Sequence, residues 1–366
     1  MFVETPCIVL DMEKVERNLK RMADICSAAG CRLRPHVKTH KIPELAKLQI
    51  QYGAAGITVA KLSEAEVMAS SGIDDIFMAY PLVGDERIQR AIILAKKIRL
   101  ICSTDCYESA ALISQACVNA GIVLELRLEV DTGMHRTGIP YEKAVTEAER
   151  IAVLPGILLQ GIFTFRGMIY DGKTDLDCKK CGEQEGRLMA ALADELRSRN
   201  VPIQDVSVGS TPTGEFCAAV DGVTEVRPGT YIFQDMMQVN THACSCTEDD
   251  VAAVILSQVV STCKPEVAVI DCGCKSISTD VIPGKFPYEL KGYGTVIGHP
   301  ELKLERLSEE HGMLTSDNEI SLKTGQLLKI IPNHICPAIN LYDHVYLMRD
   351  GEIYGRYNVA ARGMNY

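Results

Sequence analysis

The chain has 366 residues, enough for one large core and a smaller second one, and its 47% hydrophobic and 23% charged content is that of an ordered globular protein. A net charge of −10, with Lys and Arg scattered along the chain, excludes nucleic acid and an anionic membrane surface as partners. The start Met1-Phe2-Val3-Glu4-Thr5-Pro6 has no signal-peptide character, no apolar run reaches membrane-spanning length, and the 15 cysteines lie mostly in apolar runs, as reduced thiols of a cytoplasmic protein do.

From Cys7 to about residue 230, short apolar runs alternate with amphipathic segments. The runs are 7–11, 32–38, 56–61, 75–82, 98–104, 123–130, 158–165, 205–210 and 225–229. Between them lie helical patterns such as 13–30, 63–72, 85–97, 107–121, 141–154 and 183–200, several ending in Gly or Asn as helix C-termini do. Strand–helix alternation repeated about eight times predicts a parallel sheet closed into a (β/α)₈ TIM-type barrel over residues 7–240. An open doubly wound sheet would announce a Gly-rich turn after its first strand, and none is present. Beyond residue 240 the runs 251–261, 266–271, 326–331, 342–348 and 352–359 are strand-like and joined by turns, with Pro283-Gly284 and Asp350-Gly351 as turn signals. Residues 241–366, together with 1–6, are therefore expected to form a mostly β domain.

Chemistry enters first at Arg34-Pro35-His36-Val37-Lys38-Thr39-His40-Lys41. A lysine at the end of an early strand between His36 and His40 would lose affinity for its proton through burial and neighbouring cations, which suits an amine that attacks a carbonyl. A solvated basic loop is the plain alternative. Other polar groups fall at predicted strand ends, where such barrels carry their sites: Lys61, residues 131–136, residues 166–170, residues 209–214, and Gly229-Thr230. The Gly209-Ser210-Thr211-Pro212-Thr213-Gly214 loop follows the seventh predicted barrel strand. Its glycines admit close backbone approach, and its hydroxyls and amide N–H groups are donors for a phosphate. An amine for an aldehyde and a loop for a phosphate together point to pyridoxal 5′-phosphate.

Three close cysteine pairs, Cys178/Cys181, Cys244/Cys246 and Cys272/Cys274, lie in different kinds of segment and do not make a four-thiolate zinc site. In Pro332-Asn333-His334-Ile335-Cys336-Pro337 the side chains of His334 and Cys336 would face one way on a strand. An imidazole and a thiolate favour zinc, and two protein ligands leave open positions for a substrate.

The combination of residues 34–41, Asp131-Thr132-Gly133-Met134-x-Arg136-Thr137-Gly138, Val208-Gly209-Ser210-Thr211-Pro212-Thr213, Arg227-Pro228-Gly229-Thr230-Tyr231, Pro332-Asn333-His334-x-Cys336 and Ala361-Arg362-Gly363 resembles the eukaryotic-type D-serine dehydratase and D-threonine aldolase family. These are fold-type III enzymes whose barrel is of the alanine racemase N-terminal type. The resemblance implies that Lys38 carries the cofactor, that Gly209, Ser210 and Thr211 hold its phosphate, and that His36, Arg136, Tyr170, Gly229 and Thr230 also belong to the cofactor site. It also implies a divalent metal at His334 and Cys336 (zinc, with manganese as the other option) and a homodimer acting on β-hydroxy-D-amino acids. The His-x-Cys pair resembles the dehydratases, which release a keto acid and ammonia, whereas aldolase relatives carry His-x-Asp and release glycine and an aldehyde. A metal-free racemase would leave His334 and Cys336 without a purpose, and a non-catalytic cofactor carrier would not need the β domain. The chain departs from the family at Phe163 and Phe165, where relatives carry tyrosine and histidine, and has Asp171 near the place of an aldolase histidine.

Overall fold

The computed structural model describes residues 3–241 and 246–366, the side chain of Tyr170 excepted. The chain forms two compact units: Lys20–Lys38, Pro43–Gly229 and Met364–Tyr366 make one, and Met1–Leu19, Thr39–Ile42 and Thr230–Gly363 make the other. Among the described residues no helix is long and apolar enough to cross a membrane.

The larger unit is the expected barrel. Its eight parallel strands run in the order Arg32–Leu33, Glu225–Val226, Asp205–Val208, Ile157–Phe163, Leu124–Asp131, Arg99–Thr104, Asp75–Pro81 and Ile57–Val59. The two end strands meet through a parallel bridge between His36 and Thr58, reinforced by Thr58 N–H to the Pro35 carbonyl at 2.8 Å, so the sheet closes. Charged residues at the strand starts converge to form the floor. Glu225 accepts from Arg34 Nε at 2.7 Å and Arg127 Nη1 at 2.5 Å, and Asp205 accepts from Arg127 Nη2 at 2.8 Å. Arg34 also pairs with Asp75, and Arg32 with Asp205. Above this layer Phe77, Ile101 and Phe163 pack together, with the Phe77 and Phe163 rings edge to face at 5.1 Å. Strands buried on both faces read as continuous apolar runs, which is why they were visible in the sequence.

The second unit is a nine-stranded, mostly antiparallel sheet centred on Ala253–Lys264. Along that strand burial alternates from Ala253 to Val259, and the buried Ser257 hydroxyl is satisfied by Asp271 at 2.6 Å. The segment Cys7–Asp11, expected to open the barrel, lies here instead. It pairs antiparallel with Ala253–Lys264 (Cys7 opposite Leu256) and parallel with His344–Arg349 (Val9 opposite Tyr346). Nine apolar runs were thus one more than the barrel uses, and the first completes the other sheet. Asp350 and Gly351, both at positive φ (51° and 77°), make the two-residue turn between His344–Arg349 and Glu352–Asn358.

Candidate active site

Beyond the layer of floor charges, Lys38, Arg136, the 209–214 loop and Phe165 follow the ends of the barrel strands. Lys38 does not end a strand. The strand stops at Leu33, and Lys38 sits in a single 3₁₀ turn, Val37–Thr39, with its side chain exposed. The side chain is thus exposed where the sequence reading expected burial. Its backbone N–H donates to His36 Nδ1 at 3.4 Å, and the His36 N–H donates to the Pro228 carbonyl at 2.9 Å. Phe165 is the centre of the rim. Lys38 Nζ lies 5.6 Å from its ring centroid and the Arg136 guanidinium 5.1 Å from it. Gly167, at φ 59°, leaves room there: a Cβ on it would lie 3.8 Å from Ser210 Oγ and 4.0 Å from Phe165 Cζ. One amine, one guanidinium and one hydroxyl loop thus surround one aromatic ring.

The loop 209–214 is held closed from within. Gly209 has φ 79°, and a Cβ there would come 3.1 Å from the Gly214 Cα. The amides expected to face a phosphate are partly committed elsewhere. Gly209 N–H donates to Glu185 Oε1 at 3.0 Å, Ser210 N–H to Thr213 Oγ1 at 3.1 Å, and Gly229 N–H to Thr211 Oγ1 at 3.2 Å. The Ser210 and Thr211 side chains are both buried in this loop, with Ser210 Oγ 3.0 Å from Thr213 Oγ1. Thr230, expected beside Gly229, instead places its hydroxyl 3.5 Å from Cys336 Sγ. Tyr170 closes the short strand Ile169–Tyr170, and its side chain lies outside the described residues. An amine, a cation and buried hydroxyls at one barrel rim are the donor set that an anionic, aromatic aldehyde requires, so the residues fit pyridoxal phosphate.

Two groups at this rim gain partners that the sequence does not show. Asp131 accepts the N–H groups of Gly133 and His135, at 2.9 and 3.0 Å, and its other oxygen lies 2.9 Å from His135 Nδ1. His135 Nε2 in turn lies 3.4 Å from Asp171 Oδ1, and both residues hold positive φ, 56° and 50°. The hydrogen bond to Asp131, with Asp171 beside it, raises the imidazole above its ordinary pKa. Arg227 is buried and donates to the Thr164 carbonyl at 2.5 Å and to Ser207 Oγ at 2.6 Å, linking two adjacent strand ends; burial lowers it to about 10.

In the other unit, His334 and Cys336 come together by a different geometry from the one expected. They do not share a strand: the strand ends at Pro332, His334 caps the short helix Ile335–Ile339, and Cys336 lies in its first turn. The two side chains hydrogen-bond, and Asp280 Oδ2 meets His334 Nδ1 at 2.6 Å. Cys336 Sγ lies 3.3 Å from the Thr39 hydroxyl. Burial opposes ionisation of Cys336, but His334 and the two threonine hydroxyls outweigh it and bring the thiol below its ordinary value. Burial likewise opposes charge on His334, and Cys336 and Asp280 reverse that. The donor set of one imidazole and one activated thiol fits a borderline-soft divalent ion with positions left open. Among the described residues no group of three or more His, Cys, Asp or Glu converges as a metal cage, the cysteines are free, and Cys244 lies outside those residues.

Residues 10–236 match the alanine racemase N-terminal domain family, and residues 252–348 the serine dehydratase domain family. The chain is 29% identical over 365 residues to D-threonine aldolase of Arthrobacter sp, covering 99% of this chain and 94% of that protein. It is 32% identical over 352 residues to D-threo-3-hydroxyaspartate dehydratase of Delftia sp., covering 91% of each. A solved structure of that dehydratase, a cysteine-to-alanine mutant in the metal-free form, superposes with a TM-score of 0.89 at 31% identity and 97% coverage of both chains. D-serine dehydratase of Dictyostelium discoideum is 28% identical over 385 residues, covering 96% of this chain and 95% of that protein. With both domains in this order along its length, the chain belongs to the fold-type III, pyridoxal phosphate-dependent lyases that join an alanine racemase-type barrel to a serine dehydratase-type domain.

Proposed function

We propose that the protein is a β-hydroxy-D-amino acid dehydratase of the D-serine dehydratase kind, eliminating the β-hydroxyl to give a keto acid and ammonia. The observation that carries this reading is the His334–Cys336 pair, which the start of the helix Ile335–Ile339 brings together with Asp280 on His334 Nδ1 at 2.6 Å. It is a donor pair suited to zinc, and the His-x-Cys spacing is that of the dehydratases. In this reading Lys38 would hold the cofactor through Nζ, Ser210 and Thr211 would hold its phosphate, with Gly209 shaping the loop, and Arg136 would face its ring. Pyridoxal phosphate, when bound, supplies an electron sink for charge at the substrate Cα. Lys38 Nζ, exposed at the rim, takes the α-proton. His334 and Cys336 would hold the divalent ion, whose Lewis acidity serves departure of the hydroxyl. The substrates in this reading are D-configured, and turnover of L-serine as fast as D-serine would contradict it. The protein acts as a homodimer in this reading, and sedimentation as an active monomer would remove that part.

A second reading has an observation of its own. His135 Nε2 lies 3.4 Å from Asp171, the residue near the place of the aldolase relatives' histidine, and so supplies an imidazole that could serve as the base for the β-hydroxyl proton. Incubation with D-serine, D-threonine and 3-hydroxy-D-aspartate separates the two. The dehydratase reading expects a keto acid and ammonia. Glycine and an aldehyde without keto acid, abolished in His135→Ala, would transfer the assignment to the aldolase. Interconversion of alanine enantiomers alone would discard both.

A further inference from the structure

The helix Cys178–Ser198 carries a carboxylate that neither the sequence motifs nor the chemistry above employs. Glu185 is fully buried, in the same unit as the barrel rim. Its Oε1 accepts the Gly209 N–H at 3.0 Å, and the carboxylate also accepts the backbone N–H of Arg166. One residue earlier, Gln184 Oε1 accepts from the Arg166 side chain at 3.0 Å. Gly209 and Arg166 belong to the loops that leave two neighbouring barrel strands, Asp205–Val208 and Ile157–Phe163. Those loops present Ser210 and Thr211 on one side and Phe165 and Gly167 on the other.

The helix approaches closely enough to do this because two of its residues have no side chain. A Cβ at Gly182 would come 2.7 Å from the Thr213 carbonyl oxygen and 2.8 Å from Phe216 Cβ, and one at Gly186 would come 2.9 Å from Val220. Both glycines are thus needed where the helix meets the segment following the loop. The Cys217 thiol, from that segment, donates to the Gly182 carbonyl at 3.3 Å and lies 3.9 Å from Glu185 Oε2. A buried carboxylate with this set of partners has no substrate-facing atom to offer. It joins the two loops from behind by giving acceptors to two backbone N–H groups that would otherwise be buried unsatisfied.

We infer that Glu185 is the positioning residue of the phosphate site: it fixes Gly209 and Arg166 to one carboxylate, so that Ser210 and Thr211 are preset for an anion before the cofactor arrives. The inference rests on the assignment of loop 209–214 to the cofactor phosphate. It requires reach as well as charge, since one carboxylate must touch two separate loops.

The test compares binding of pyridoxal 5′-phosphate and of pyridoxal, which lacks the phosphate, to the full chain freed of cofactor, read by absorbance. Glu185→Gln keeps the length and one acceptor, whereas Glu185→Asp keeps the charge but withdraws it by one methylene. The expected order of affinity for pyridoxal phosphate is wild type, then Gln, then Asp, with at least about a tenfold loss for Asp. Affinity for pyridoxal should change less than about twofold in both variants. Wild-type affinity in Glu185→Asp, or equal losses for the two ligands, would overturn the inference by showing charge alone or general destabilisation. Wild-type protein that binds pyridoxal phosphate no better than pyridoxal would remove the phosphate-site assignment, and the inference with it.

Discussion

At the scale of single residues the assignment turns on Lys38 and on the pair His334 and Cys336. Lys38 is exposed in a one-turn 3₁₀ segment, its amine 5.6 Å from the Phe165 ring centroid. Borohydride reduction of the cofactor-loaded protein should therefore fix the label on Lys38; a peptide labelled at Lys61 or Lys41 would contradict the assignment. Lys61 is a real competitor, lying 3.7 Å from the Tyr80 ring centroid at the end of another barrel strand. Asp280 occupies Nδ1 of His334, so in the proposed reading Nε2 is the nitrogen that would meet a metal. Asp280→Ala should weaken metal affinity by about 10–100-fold, the usual effect of an outer partner, while Cys336→Ala removes a ligand and should cost more. Competition with a chromogenic chelator measures both, and equal affinity in Asp280→Ala and wild type would show that the aspartate does not orient the imidazole.

At the scale of elements the barrel divides its labour along the strands. The starts carry the ionic floor and the ends carry the rim groups, so a strand such as Leu124–Asp131 contributes Arg127 to one and Asp131 to the other. Glu225 is the hub of the floor, shared by Arg34 and Arg127, all three fully buried. Glu225→Gln would leave two guanidinium groups short of charge in a dry interior. Breaking a buried pair in this way costs about 3–5 kcal/mol. Urea unfolding at neutral pH measures the loss, and a change below about 1 kcal/mol would show that water or Asp205 compensates. The apolar runs of these strands were plain in the sequence, but the run 7–11 was not assignable to its sheet. A strand buried on both faces looks the same at the centre of either sheet, and only its partners, Ala253–Lys264 and His344–Arg349, separate the cases.

For the whole molecule the floor sets a pH limit. Burial alone would raise Asp205 and Glu225, but Arg127, joined by Arg32 at Asp205 and by Arg34 at Glu225, reverses this and holds both carboxylates below their ordinary values. Their stabilisation is therefore present above the unfolded carboxylate range, about pH 4, and is lost as pH falls through the lower folded values, because the unfolded chain then binds more protons. Glu185 acts with the opposite sign: raised to about 6 by burial, it favours the folded state more in its neutral form, below that pH. The melting temperature should drop steeply below about pH 4, and Glu225→Gln should flatten that drop; parallel acid profiles for the two proteins would refute the role given to the floor.

Composition, periodicity and short motifs determined the class of fold and the count of barrel strands to within one, and they nominated Lys38, Ser210, Thr211, His334 and Cys336 with the cofactor chemistry they suggest, Arg136 being added by the family resemblance. Those features are local: apolar runs follow burial on both strand faces, and motifs state which functional groups stand close along the chain. Tertiary structure alone decided which sheet owns Cys7–Asp11, that Lys38 is exposed, and that His334 caps a helix and gains Asp280 from 54 residues away. It alone placed Phe165 between Lys38 and Arg136, and Glu185 behind Gly209. Each of these is a contact between segments far apart in sequence. A buried carboxylate on a helix reads, in one dimension, like any other glutamate on a solvated face.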